Sequence, residues 1–118
     1  QSTPTAVATS SRRSFVEEVL SRFSLQPRFQ FILTAEDVRQ GKPNPEIYET
    51  AASRLGLGTS SVMVLEDSEN GCRAAVAAGA FAVAVPGAHS QDHDFTGDAL
   101  IAKSLEDPRI YQALKASN

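Results

Sequence analysis

Residues 62–71 read Val-Met-Val-Leu-Glu-Asp-Ser-Glu-Asn-Gly, and no other stretch constrains the chain as tightly. The continuous apolar run at its start suits a strand buried on both faces. Two adjacent carboxylates, Glu66 and Asp67, close that run. A polar turn carrying Gly71 follows, and then the alanine-rich residues 72–78. The stretch therefore predicts a strand, a carboxylate pair at its C-terminal end, and a helix start. Ligands of open parallel sheets collect outside the carboxyl ends of the strands. A carboxylate pair placed there suits a hard, oxygen-preferring cation such as Mg²⁺. The plainer account is that Glu66 and Asp67 only favour the N-terminus of the next helix, where negative charge is stabilising.

The remainder of the chain repeats the alternation. Residues 6–8 predict a short strand ending in Thr9-Ser10-Ser11. Ser14 and Glu17 have the spacing of a capping box. Phe15, Val16, Val19, Leu20 and Phe23 share one apolar helical face, and Pro27 ends that helix. Residues 29–34 predict a strand, with Phe29, Phe31 and Leu33 alternating. In Lys42-Pro43-Asn44-Pro45, Asn44 is a natural N-cap and Pro45 suits a first helical position. Ile47, Tyr48, Ala51, Ala52 and Leu55 point inward from the helix that follows, and Gly56 stops it. A helix over 70–78 stopped by Gly79, a strand over 81–85, a loop over 88–98, a weak edge strand within 99–105 and a short terminal helix over 108–115 complete the reading. This pattern implies one α/β domain over residues 1–118. It is a Rossmann-like parallel sheet with helices on both faces and right-handed crossovers.

Charge and composition exclude several functions. The formal net charge is −3 and no basic block occurs, so no nucleic-acid partner is expected. No apolar run is long enough to span a bilayer, and no membrane partner is expected. The single cysteine, Cys72, fits a reducing compartment, and a cytoplasmic location is expected. It falls on the apolar side of its helix and reads as a buried, inert thiol. His89 and His93 are four residues apart, but in a loop, and read as solvated rather than as a metal pair.

Three polar signals fall at equivalent places. Thr9-Ser10 follows the first strand, Lys42 lies after the second, and Glu66-Asp67 ends the third. A parallel sheet gathers such ends on one rim. A hydroxyl with backbone amides, an ammonium and a carboxylate pair compose a phosphate-plus-Mg²⁺ site.

These stretches resemble the haloacid dehalogenase superfamily, and within it the β-phosphoglucomutase-like phosphatases. The matching segments are Val7-Ala8-Thr9-Ser10-Ser11, Gly41-Lys42-Pro43-Asn44-Pro45-Glu46-Ile47-Tyr48 and Leu65-Glu66-Asp67-Ser68-Glu69-Asn70-Gly71, with Ala77-Ala78-Gly79-Ala80 and Val83-Ala84-Val85-Pro86 beyond them. The resemblance implies that Thr9 and Ser10 grip phosphate and that Lys42 neutralises charge around the transferring phosphoryl group. It implies that Asp67 binds Mg²⁺ directly, with Glu66 helping directly or through water.

Two family features are missing. The Asp-x-Asp segment that supplies the aspartyl nucleophile, an acid/base and another Mg²⁺ ligand has no match here. Asp92 and Asp94 have the spacing, but they sit in the 88–98 loop and read as unrelated. The cap domain is missing too. The expectation is therefore a fragment, the C-terminal core of a Mg²⁺-dependent phosphohydrolase acting on a small, sugar-like phosphomonoester, inactive alone. Loss of the first-motif strand would leave sheet edges open to strand-mediated self-association. A phosphosugar mutase using the same core, and a non-catalytic chain that binds phosphate or a partner, are the alternatives.

Overall fold

Every strand pairing in the computed structural model is parallel. The structure describes residues 4–24, 29–86, 93–95, 97, 98, 100–102 and 106–117. The order is β1 (Val7–Ala8), α1 (Arg13–Arg22), β2 (Ile32–Leu33), α2 (Glu46–Leu55), β3 (Met63–Glu66), α3 (Glu69–Ala78), β4 (Phe81–Ala84), β5 (Leu100–Ile101) and α4 (Pro108–Ser117). Short 3₁₀ turns at Ala35–Asp37 and Thr59–Ser61 lead into α2 and β3. The strands form two sheets, β1-β2 and β3-β4-β5, rather than one. Among the described residues no strand joins β1 to β3, so each has an edge without a ladder partner.

Helices cover both faces because neighbouring strand residues point oppositely. Ile32 packs with Val16 and Leu20 of α1, whereas Leu33 packs with Ile47, Tyr48 and Ala51 of α2. The Leu33 cluster continues through Val64, Ala74, Ala75 and Ala82, so α2 and α3 share a core that reaches strands of both sheets. On the other face, Val83, Ala102 and Ile110 bury the start of α4.

Local signals explain most helix ends. The Asn44 side chain accepts the Glu46 N–H at 3.0 Å, so it caps α2 even though Pro45 holds the flanking position. Gly56 and Gly79 take left-handed conformations after α2 and α3, which only glycine adopts without strain. Ser68 caps α3 by accepting the Gly71 N–H at 3.1 Å.

Four expectations are corrected. The Ser14–Glu17 capping box does not form; α1 starts at Arg13, without a side-chain cap. Arg13 donates to the Ile32 carbonyl at 2.8 Å and to Asp37 at 2.7 Å, contacts that fasten the helix start to the end of β2. The apolar face of α1 is only half used, since Phe15 and Phe23 remain 60% and 65% exposed. They lie round the helix from Val16 and Leu20, beyond the reach of a two-strand sheet. The strand expected over 29–34 contracts to Ile32–Leu33, and both are buried, so the Phe29–Phe31–Leu33 alternation did not mark one core face. Finally, β3 is not buried on both faces: Leu65, on the same side as Met63, is 46% exposed. Pro27, His89, Asp92 and Leu105 lie outside the described residues.

Asp37 ties this framework together. Its carboxylate accepts the Thr34 N–H at 2.8 Å and the Arg13 guanidinium. The Thr34 amide, and then Arg13, hold the carboxyl below its ordinary range against the opposing effect of burial. Asp37→Ala is expected to cost about 1–2 kcal/mol of stability at neutral pH, as for a lost cap. A depressed carboxyl stabilises fully above its unfolded pKa, and the gain is lost as pH falls through the folded value. Urea unfolding should therefore show the wild-type advantage shrinking below about pH 4. A gap that stays constant with acidification would refute the charge-assisted role.

Candidate functional site

Thr9 follows β1 and extends its ladder, its N–H donating to the Leu33 carbonyl at 3.0 Å. The Thr9 hydroxyl oxygen accepts the Ser11 N–H at 3.1 Å, which curls the chain into a tight turn with Ser10 between them. Such a turn offers backbone amides and hydroxyls at a strand end, the arrangement that attracts anions.

Lys42 comes from the loop before α2. Glu46, the first residue of that helix, accepts the Arg39 and Gln40 N–H groups at 3.0 Å each and so grips the loop from behind. The Lys42 ammonium donates to the Ala8 carbonyl at 3.3 Å and to Glu66 Oε2 at 2.7 Å. One cation thus spans the ends of β1 and β3, the two strands that no ladder joins. An ammonium has three donors, and these two bonds leave a third for a ligand. The pair is well buried, with 8% of the Lys42 side chain and 12% of the Glu66 side chain exposed.

Glu66 is held on all sides. Oε2 also accepts the Tyr48 hydroxyl at 2.7 Å, and Oε1 accepts the Asp67 N–H at 3.1 Å and the Ser68 hydroxyl at 3.4 Å. Burial would raise the Glu66 pKa, but the Lys42 charge, the Lys42 bond and the Tyr48 bond outweigh it and hold the carboxyl below its ordinary range. Asp67 moves the other way: burial first, then the neighbouring Glu66, push its pKa up. A bound cation would favour the charged form of Asp67.

Thr9, Ser10, Ser11, Lys42, Glu66, Asp67, Ser68 and Asn70 line one cleft of about 390 Å³. The expected convergence of Thr9, Lys42 and Asp67 on one rim is therefore present, and every lining side chain is polar or charged. Cys72 lies just behind and is 1% exposed. Its thiol donates to the Glu66 carbonyl at 3.9 Å, and burial, then the Asp98 carboxylate alongside, push its pKa up, as expected of an inert thiol. His93 is not simply solvated. It accepts the Glu69 N–H at 3.1 Å, and the Asp94 N–H donates to the Glu69 side chain at 3.1 Å, which docks this part of the loop beside the start of α3.

For a hard cation the donor set is apt in kind and short in number. Asp67 is the carboxylate of the cleft whose partners are few. Glu66, expected beside it as a ligand, has both oxygens engaged by Lys42, Tyr48, Asp67 and Ser68. Among the described residues, no group of three or more His, Cys, Asp or Glu side chains is arranged to hold a metal ion. Mg²⁺ keeps several waters and accepts one or two carboxylates, so these residues fit part of its shell.

The family profile described as haloacid dehalogenase-like hydrolase matches residues 1–85. The chain belongs to that family. The validoxylamine A 7'-phosphate phosphatase of Streptomyces hygroscopicus subsp. limoneus is 36% identical over 103 residues, covering 87% of this chain and 48% of that protein. The crystal structure of CbbY from Rhodobacter sphaeroides in complex with phosphate superposes with a TM-score of 0.80 at 32% identity, covering 86% of this chain and 46% of the other. A structure assigned as a β-phosphoglucomutase from Thermotoga maritima gives a TM-score of 0.82 at 30% identity over 94% and 53% of the respective chains. The haloacid dehalogenase-like chain thus spans about half the length of these relatives.

Two residues that shape the surroundings of Glu66 in this member were not legible as such. Tyr48 reads as a core position, yet its hydroxyl reaches Glu66. The available signal was a tyrosine where a phenylalanine would pack, because a buried hydroxyl needs a partner. Gly71 reads as a turn residue, yet it lies inside α3. A Cβ built there would fall 2.0 Å from Glu66 Cδ, so the glycine makes room for that carboxylate. A glycine within a helical stretch was the signal.

Proposed function

We propose that this chain forms the phosphate-gripping part of a Mg²⁺-dependent phosphohydrolase acting on a small, sugar-like phosphomonoester. The observation that carries the reading is the convergence of Thr9, Ser10, Lys42 and Asp67 on one cleft, from two strand ends and the loop before α2, all far apart in sequence. The likeness to the validoxylamine A 7'-phosphate phosphatase and to a phosphate-bound structure supports a small phosphomonoester as the substrate class. Thr9 and Ser10 bind phosphate oxygens through hydroxyls and amides. Lys42 offers its remaining N–H to the same oxygens, where charge accumulates during phosphoryl transfer. Asp67 would hold Mg²⁺, with Glu66 adding negative charge behind it; the ion would neutralise charge on the phosphoryl oxygens. A cytoplasmic location accords with the lone buried thiol, and among the described residues no helix is long and apolar enough to cross a membrane.

No residue of the cleft supplies the aspartyl nucleophile, so the chain alone binds phosphate without turning over a phosphoester. The free edges of β1 and β3 are where a further strand, from another segment or a second copy, would add. The test uses the pure 118-residue chain. Inorganic phosphate should bind in the millimolar range, about 4 kcal/mol, in a titration followed by NMR, with Lys42→Ala removing the binding. An aryl phosphate with excess Mg²⁺ should not be hydrolysed. Turnover that Lys42→Ala abolishes would show that the chain carries its own nucleophile. Absence of phosphate binding would remove the anion-site reading.

A further inference from the structure

We infer that Tyr48 is a positioning residue of the phosphate site, holding Glu66 through its hydroxyl and Lys42 through its ring; the inference rests on the phosphate-site reading above. Three observations combine. The Tyr48 hydroxyl donates to Glu66 Oε2 at 2.7 Å, the same oxygen that receives Lys42. The Lys42 ammonium also lies 5.1 Å from the centre of the Tyr48 ring, within range of a cation–π attraction. Tyr48 itself is 5% exposed and packed among Leu33, Ile47 and Ala51, so its ring cannot turn away.

The geometry does more than satisfy a buried hydroxyl. A lysine has four rotatable carbons and a compact charge, and left alone it samples many positions. Here the ring supports the ammonium while the hydroxyl fixes the carboxylate to which the ammonium is paired. Both ends of the Lys42–Glu66 bridge are thereby set by one rigid side chain on α2. Gly71 completes the arrangement from α3, since Glu66 lies where a Cβ at that position would fall. The consequence is that the Lys42 ammonium keeps a constant place in the cleft it shares with Thr9 and Asp67. Preorganisation of this kind acts on anion affinity beyond its contribution to folding.

The two handles of Tyr48 can be removed separately. Tyr48→Phe deletes the hydroxyl and keeps the ring, whereas Tyr48→Leu deletes both. Ile47→Val, a trim at the adjacent buried position of the apolar core, controls for a purely structural effect. Inorganic phosphate is the probe, titrated into the whole chain by NMR, with thermal midpoints measured alongside. The ring-current shift of the Lys42 ε-methylene protons serves as a second readout. Tyr48→Phe should weaken phosphate about three- to tenfold, a fraction of the worth of a charge-assisted hydrogen bond because the effect reaches the anion only through Lys42, and Tyr48→Leu should weaken it further. Ile47→Val should lower the midpoint and leave phosphate affinity alone. The Lys42 ring-current shift should persist in Tyr48→Phe and vanish in Tyr48→Leu. Wild-type phosphate affinity in Tyr48→Phe, or equal weakening in Ile47→Val, would overturn the inference. If the wild type binds no phosphate, the functional reading fails on its own, and the Lys42 shift still decides this one: its absence from the wild type would show that the ring does not carry the ammonium.

Discussion

Lys42→Ala is expected to destabilise the chain by about 3–5 kcal/mol, because it strands a buried carboxylate. Glu66 is only 12% exposed, and its bond to Lys42 is 2.7 Å long. The bonds from Tyr48, Asp67 and Ser68 remain after the substitution, but none carries a compensating charge. The contrast within the molecule is the Arg22–Glu18 pair on α1, with both side chains about two-thirds exposed. An exposed pair of that kind contributes about 0–1 kcal/mol, and its removal should be hard to detect. The loss at Lys42 should also loosen β1 from β3, since the same ammonium holds the Ala8 carbonyl. Urea unfolding checks the magnitude. Adding Glu66→Gln to Lys42→Ala should restore a good part of the stability, since a neutral amide is cheaper to bury than a lone carboxylate. A single-variant loss below about 1 kcal/mol would show that the pair behaves as a surface contact.

The second large effect is expected at Gly71→Ala, and its sign is decided by two opposing magnitudes. Alanine is favoured over glycine inside a helix by about 0.8–1.0 kcal/mol. Against this, the new Cβ would sit 2.0 Å from Glu66 Cδ and 2.2 Å from Glu66 Oε2, far inside contact distance. A free surface glutamate would swing aside at little cost. Glu66 is not free: leaving its place breaks the bonds to Lys42 and Tyr48. Overpacking of a constrained site costs about 1–3 kcal/mol, so the clash should win and Gly71→Ala should be destabilising. Phosphate affinity should fall with it, because Lys42 loses its anchor. Combining Gly71→Ala with Glu66→Ala removes the clash, and calorimetry should then show the helix gain returning relative to Glu66→Ala alone. A Gly71→Ala protein more stable than wild type would mean that Glu66 is loosely held.

The sequence by itself determined the order of elements and which polar groups gather at the cleft. Alternating short apolar runs and amphipathic stretches specify parallel strands with crossover helices, because the two backbone periods are distinct. Gly56 and Gly79 stop their helices by a local rule of backbone conformation. That Thr9, Ser10, Lys42, Glu66 and Asp67 would converge was legible because the ends of parallel strands, and the loops that leave them, open on one side whatever their separation in the chain, and these residues do line one cleft. Only the tertiary structure decided which surfaces those elements cover and what each carboxylate does. Phe15 and Phe23 look like core residues, but burial depends on the width of the sheet below α1. Arg13 overrode the Ser14–Glu17 signal through partners 19 and 24 residues away. Glu66 and Asp67 are neighbours of nearly equal chemistry, yet one is locked beneath Lys42 and Tyr48 while the other faces the cleft. That difference arises from side chains on α2 and α3 meeting at the end of β3. No local pattern encodes such a meeting, because its energy exists only once distant segments have packed.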